Sequence, residues 1–269
     1  MTEYPPCSHP YEGWFVDGVP LSQEGFLLSE FIETIPPRRG EDIIVARRPG
    51  SRWQQKFYDS RIQTLVVWAL KNDEFGNVKG GNERNVDRLK RLFGGGLKQV
   101  ELTRTITLPF RVSTRKATVE LVDAVSGERT ALTQTGVYTS FAVDLKFHDP
   151  YWYEPYNTTT FGSDYGAHVI WNPGTVQNFD ATARIFGPAI DPEISVEPTG
   201  SIVQLELTLG SNEWVDLNSY DFTAINNTGT SVAGAIRRQQ INLIEIAPGR
   251  NELTLTDGTC DFKWRPTYL

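Results

Sequence analysis

The stretch Thr139-Ser140-Phe141-Ala142-Val143-Asp144-Leu145-Lys146-Phe147-His148 decides the fold class. Phe141, Val143, Leu145 and Phe147 fall on one side of an extended chain, and Ser140, Asp144, Lys146 and His148 on the other. Successive side chains of a strand point to opposite faces, so this alternation is that of a half-buried β-strand. Upstream, Ala117, Val119 and Leu121 alternate with Thr118 and Glu120 in the same way. Val100, Leu102, Ile106 and Leu108 share one face of a third strand, interrupted by Arg104. Ile62 to Leu70 is apolar on both faces, which predicts a strand buried between layers.

One helix stands out among the strands. Asn82 precedes a stripe of Val86, Leu89 and Phe93 at i, i+3, i+7 spacing, and Gly94-Gly95-Gly96 follows. An Asn side chain can accept a hydrogen bond from a free first-turn amide, and Gly can take the left-handed conformation that ends a helix, so the spacing predicts a helix over 82–93. Its polar face carries Arg84, Asp87, Arg88, Lys90 and Arg91. A lone amphipathic helix in a β-rich half packs across a sheet or a barrel mouth.

Beyond residue 150 short strand patterns recur: His168–Trp171, Ala183–Phe186, Glu193–Val196, Ile202–Leu209, Glu213–Leu217, Ile241–Ile246, Glu252–Leu255 and Cys260–Trp264. Turn signals separate them, among them Asn172-Pro173-Gly174, Pro198-Thr199-Gly200, Gly210-Ser211-Asn212, Pro248-Gly249 and Asp257-Gly258. Such punctuation predicts a β-sandwich, with Asp257-Gly258 as a hairpin turn. Charge divides the chain at the same place. Residues 1–150 hold 20 Lys and Arg against 19 Asp and Glu, a net of +1; residues 151–269 hold 6 against 14, a net of −8. This shift argues for two domains, 1–150 and 151–269.

The 269 residues suffice for one large all-β domain or two ordinary ones, and 39% hydrophobic content supports packed cores. No basic block is dense enough for a nucleic-acid footprint. The N-terminus lacks a basic segment followed by an apolar stretch, and Leu65–Leu70 is too short to span a bilayer, so synthesis in the cytoplasm without membrane insertion is expected. Cys7 and Cys260 lie near opposite ends, outside any metal-ligand spacing, and read as free thiols.

Chemistry-bearing patterns are sparse. The three histidines, His9, His148 and His168, have no zinc-ligand spacing. His148 beside Asp149 reads as a surface residue at a strand end rather than a general base. Gly94-Gly95-Gly96 follows a helix and lacks the Lys-Ser/Thr of a phosphate loop, and no G-x-S-x-G elbow occurs. No catalytic set, cofactor site or metal site is expected. Exposed aromatics are a separate matter, since sugar-binding sandwiches stack rings on Trp or Tyr. Trp171 and Trp264 lie within strand patterns and read as core. Trp214, beside Gly210-Ser211-Asn212, is the candidate glycan contact.

An alternating strand that runs into Asp149-Pro150-Tyr151-Trp152 closes the first half. This junction resembles that of siphophage distal tail proteins. Other segments agree in order: Arg47-Arg48-Pro49-Gly50, then Tyr58-Asp59-Ser60-Arg61 before an apolar strand, the 82–93 helix, Pro198-Thr199-Gly200, Ala247-Pro248-Gly249-Arg250-Asn251, and the terminal Lys263–Leu269. The resemblance implies a mainly β chain: an N-terminal split β-barrel-like domain with one helix, then a C-terminal galectin-like β-sandwich. It implies a structural virion protein at the distal end of the tail, one subunit of a hexameric ring. The ring would join the tail tube protein to the tail hub or tail-associated lysin, and could anchor receptor-binding proteins or side fibres. Arg47, Arg48, Arg88 and Arg91 are the candidate interface residues, because Arg is favoured at subunit contacts. The alternative is a carbohydrate-binding module that engages host cell-wall glycans through the second half. A cell-wall hydrolase is the third reading.

Overall fold

The structure is a computed structural model that describes residues 13–22, 25–39, 43–44, 51–52, 57–70, 81–93, 99–108, 111–126, 138–177, 180–238 and 244–269. The chain is mainly β and divides into two compact units, residues 1–152 with Leu269, and residues 153–268.

In the first unit the strands are β1 (Trp14–Val16), β2 (Val19–Pro20), β3 (Phe26–Ile32), β4 (Arg61–Leu70), β5 (Gln99–Leu108), β6 (Arg111–Ser126) and β7 (Tyr138–Phe147), with helix α1 (Gly81–Phe93) between β4 and β5. They form one antiparallel sheet in the order β2-β1-β5-β6-β7-β4-β3. The opening stretch pairs with β4 from Thr139 to Phe147, Val143 opposite Leu65 and Phe141 opposite Val67. Directly opposed residues share a face, so the alternation of β7 fixes the buried face of its neighbours. Leu65, Val67, Phe141, Val143, Leu145, Leu121, Val119, Ala117, Leu102 and Val16 are all buried on that face.

The sheet curls back on itself. Trp14 on β1 and Phe31 on β3 come from opposite ends of the strand order, yet their rings lie 4.4 Å apart. Trp152 wedges against both, edge-on to Trp14 at 5.7 Å and to Phe147 at 5.4 Å, and is almost fully buried. The Trp of the Asp-Pro-Tyr-Trp segment therefore fills the barrel where its two edges meet. Arg104, the residue that interrupts β5, lays its guanidinium over Trp14 at 5.1 Å and reaches Glu33 on the far edge at 3.7 Å.

One expectation for this unit is modified. Strand β4 is buried on one face only: Leu65, Val67 and Ala69 are inaccessible, while Ile62 is exposed and Val66, Trp68 and Leu70 are half-buried. The second apolar face meets Leu27 and Tyr138 on neighbouring strands, and Trp68 stacks on Tyr138 at 4.6 Å, so aromatic stacking partly shields it. In β6 a bulge between Leu121 and Asp123 turns Val122 outward. The side chain of the expected capping residue Asn82, Gly94–Gly96 and Cys7 lie outside what is described.

In the second unit β8 (Asn157–Gly162), β9 (His168–Asn172), β10 (Ala181–Phe186), β11 (Glu193–Glu197), β12 (Ser201–Leu205), β13 (Trp214–Asn218), β14 (Thr223–Asn226), β15 (Ile236–Arg238), β16 (Gly249–Leu255) and β17 (Thr259–Trp264) build two five-stranded antiparallel sheets. Their orders are β8-β17-β10-β13-β14 and β9-β16-β11-β12-β15. Ile185, Val215, Leu217 and Phe262 from one sheet pack on Ile194, Val196, Val203 and Leu253 from the other, which makes a sandwich core. Cys260 is a free thiol within it, and burial pushes its pKa up.

Pro198-Thr199-Gly200 closes a hairpin that joins β11 to β12. Thr199 Oγ1 donates to Val196 O at 3.0 Å, and Gly200 takes φ +69°. Asp257-Gly258 is not a hairpin turn: it carries the chain from β16 in one sheet to β17 in the other. Gly258 is needed there at φ +87°, because a Cβ would sit 2.5 Å from Phe186 O. Strands β8, β14 and β15 were not anticipated. The Ile241–Ile246 expectation lies partly outside the described residues, and Ile244 and Ile246 are buried without forming a strand.

Candidate subunit interface

Helix α1 lies on the sheet against β4 and β7, with Val86, Leu89 and Phe93 buried. Asn85, on the same inward side, donates from Nδ2 to Leu70 O at 2.6 Å and ties the helix to the end of β4. Gly25 makes room for that amide. It sits at φ +91°, and a Cβ there would fall 2.2 Å from Asn85 Nδ2. Next to it, Phe26 opens β3, and the Arg88 guanidinium covers its ring at 5.0 Å.

These contacts leave a groove of about 320 Å³ between the helix and the β1–β2 turn, lined by Val19, Phe26, Arg88, Arg91 and Leu92. Its floor is apolar and its rim carries two guanidinium groups. Arg84, Lys90 and Arg91 are exposed, so this side of the helix presents positive charge with Asp87 as the one exposed counter-charge among its described side chains. Such a surface suits an acidic group next to an aliphatic side chain: Arg is planar, weakly hydrated and favoured at interfaces.

Of the candidate residues, Arg88 and Arg91 come together in this groove. Arg47 and Arg48 lie outside the described residues. Trp214 belongs to the second unit, on β13. It is half-buried, and Arg184 covers its ring at 4.2 Å. Arg184 is held in turn by Asp216, accepting from Nε at 2.6 Å and Nη2 at 2.8 Å, and this pairing raises the Arg184 pKa. A polar groove of about 320 Å³ surrounds the pair, lined by Thr182, Asn218, Thr223, Asp261 and Lys263 among others.

Among the described residues the tryptophan most open to solvent is Trp171, 68% exposed, against the expectation that it is core. On edge strand β9, Ile170 and Asn172 point inward and Val169 and Trp171 outward. Trp264 is buried, as its strand pattern predicts. The aliphatic Val19 and the ring of Phe26 went unnoticed in the sequence, since a groove between non-adjacent elements leaves no local pattern. Gly25 before Phe26 was the one visible sign of close approach.

Several other titratable side chains make structural contacts. His148 Nε2 lies 2.6 Å from Glu120 Oε2 on the surface. His168 stacks on Phe161 at 5.3 Å and meets Thr159 Oγ1 at 2.8 Å. Asp180 accepts from the Tyr156 hydroxyl at 2.8 Å and from Arg265 Nε, while Arg265 covers the Tyr153 ring at 3.8 Å. Burial and the bond to Asp180 push the Tyr156 pKa up to about 12. Asn251 clamps the Pro248-Gly249 turn: its Oδ1 accepts from Ala247 N at 2.9 Å and its Nδ2 donates to Ala247 O at 2.8 Å. Among the described residues no group of three or more His, Cys, Asp or Glu could hold a metal, and no helix is long and apolar enough to cross a membrane.

This arrangement, a curled sheet with one helix followed by a two-sheet sandwich, is a Dit-like fold. The SPP1 Dit protein, described as a paradigm of hub adsorption apparatus in Gram-positive infecting phages, superposes on it with a TM-score of 0.63 at 16% identity. That match covers 96% of this chain and 99% of the other. A chain of the phage P2 baseplate in its activated conformation with calcium is matched more loosely, with a TM-score of 0.41 at 10% identity over 92% of each chain. No family model matches the chain, and no curated protein matches it in sequence.

Proposed function

We propose that this chain is a structural protein of a siphophage tail tip, with no active site, that assembles as a ring between the tail tube and the tail hub. The observation that carries the reading is the shared fold with the SPP1 Dit protein, which runs through both units and nearly the full length of both chains. Fold alone does not fix function, so the site has to agree. It does: the first unit carries a groove suited to protein contact, and His148, Asp180, Arg184 and Arg265 are held in pairs and clamps. In this account residues 1–150 form a hexameric ring and residues 151–269 are a galectin-like peripheral module that anchors receptor-binding proteins or side fibres. The protein is made in the host cytoplasm and ends in the virion.

A second reading, a carbohydrate-binding module for host cell-wall glycans, is favoured by the polar groove beside Trp214. There Arg184 and Asp216 are fixed in a planar pair, and the charges of Arg184, Lys263, Asp216 and Asp261 cancel.

The ring reading is tested at the helix. Reversing both charges, Arg88→Glu with Arg91→Glu, should weaken ring assembly about tenfold or more while the circular dichroism of the subunit stays the same. An unchanged oligomer mass in that variant would contradict the role given to the helix.

A further inference from the structure

Arg61 opens β4 on the same face as Leu65 and Val67, inside the curled sheet, and is only 4% exposed. A guanidinium in a protein does not lose its proton. Its burial is therefore costly unless hydrogen bonds and a counter-charge meet it. One nitrogen is met. Nη1 donates to Thr34 O at 2.9 Å, and Thr34 Oγ1 donates to Ile62 O at 3.1 Å, so that β4 holds the tip of chain, residues 33–35, that follows β3.

The other two nitrogens are not met. Nε and Nη2 are buried, and among the described residues neither has a hydrogen-bond partner. Together they make up one edge of the guanidinium. Its two N–H groups run parallel, and this is an edge that takes both oxygens of a carboxylate or a phosphate. The group lies over the Phe147 ring at 5.1 Å, which fixes the plane of that edge.

The charge is met no better than the donors. Glu33 acts on Arg61, but its carboxylate is exposed and lies 3.7 Å from Arg104 Nη1. Trp152 packs on the same Phe147 ring at 5.4 Å, and its Nε1 is a further buried donor without a partner among the described residues. Gln63, two residues on from Arg61, brings donors and an acceptor and favours neither sign of charge. This corner therefore combines a fixed positive charge with unpaired N–H donors.

We propose that the corner of the first unit beside Phe147 binds a small oxyanion, held by Arg61 through Nε and Nη2 together. The fork selects the ligand. Two parallel donors match two oxygens on one central atom, as in phosphate or a carboxylate, and match a spherical ion such as chloride poorly. A water molecule satisfies donors and leaves the charge unmet. Burial selects the size: both nitrogens are closed to solvent, which suits a free ion that enters by local opening of the unit. Neutralised in this way, Arg61 keeps its tie to Thr34, so the ion stabilises the first unit. The inference is independent of the ring reading.

The test uses the full chain in inorganic phosphate, acetate or chloride, each at low millimolar concentration and equal ionic strength. Phosphate or acetate should raise the melting temperature and move the Arg61 Nε–H resonance downfield, and chloride should do neither. A response to phosphate alone assigns the site to a tetrahedral anion, and one to acetate alone to a planar carboxylate; either supports the proposal. Arg61→Lys keeps the charge and removes the fork, so it should bind at least about tenfold more weakly, with circular dichroism as the folding control. The Nε–H resonance of the unaltered chain, assigned through its contacts with the Phe147 ring, decides the matter even where that variant does not fold. A resonance that no oxyanion moves would mean an enclosed water only and would overturn the site. An equal response to chloride, or an undiminished response in folded Arg61→Lys, would overturn it as well.

Discussion

Gln63 is buried on the inner face of β4, opposite Leu145, and neither its amide nitrogen nor its oxygen has a hydrogen-bond partner. Arg61, two residues earlier on the same face, spends one nitrogen on Thr34 O and lays its guanidinium over Phe147 at 5.1 Å. Desolvation lowers the Arg61 pKa, opposed by Glu33. Arg61 has a structural task in holding the tip, and Gln63 has none that the contacts reveal. A buried amide without partners costs about 1–3 kcal/mol, so Gln63→Leu should raise the stability of the first unit by about 1 kcal/mol or more in denaturant melts. A loss of stability would mean that the amide serves a bound water. At this scale the sequence was only partly legible. Trp152 stood out because of its motif, but its place as the wedge of the barrel depends on Trp14 and Phe31, far away in the chain. The exposures of Trp171 and Trp214 were ordered the wrong way round, because alternation shows that a strand has two faces without showing which faces the core.

Elements read more clearly where one face is apolar and the other polar. Strands β6 and β7 and helix α1 were visible for that reason, and β7 fixed the register of β4. Strand β4 itself, apolar on both sides, was legible as a strand but not in how it is covered. Turn chemistry separated two cases that look alike: Pro198-Thr199-Gly200 closes a hairpin, whereas Asp257-Gly258 crosses between sheets. Both glycines have positive φ, and only the pairing of the flanking strands distinguishes them. Strands β1, β2 and β3 escaped notice, as did β8 with its run of Thr and β14 and β15 at sheet edges, which are polar or marginal in alternation. The seat of the helix hangs on Gly25. Gly25→Ala would force a side chain into a left-handed conformation and against Asn85, at a cost of about 1–3 kcal/mol. It should lower the melting temperature of the first unit and loosen α1, seen as faster amide exchange in the helix. Unchanged exchange would show that the Asn85–Leu70 tie does not hold the helix.

For the molecule as a whole, the division of charge and the division of structure describe one design: a near-neutral barrel unit rich in Arg and an acidic sandwich. The Dit-like fold accounts for both units in one chain. What the sequence offered at this scale came from an ordered series of short segments, each weak alone, of which Asp149–Trp152 and Pro248–Asn251 now have physical reasons: a wedge that closes the barrel and a buried Asn that clamps a turn. The groove beside α1 was not legible, because it is assembled from residues distant in the chain. The most direct test is the mass of the purified chain in solution, alone and with its tube and hub proteins, with the same samples imaged in negative stain. Closed six-fold rings are the predicted result; a chain that stays monomeric under both conditions would contradict the account.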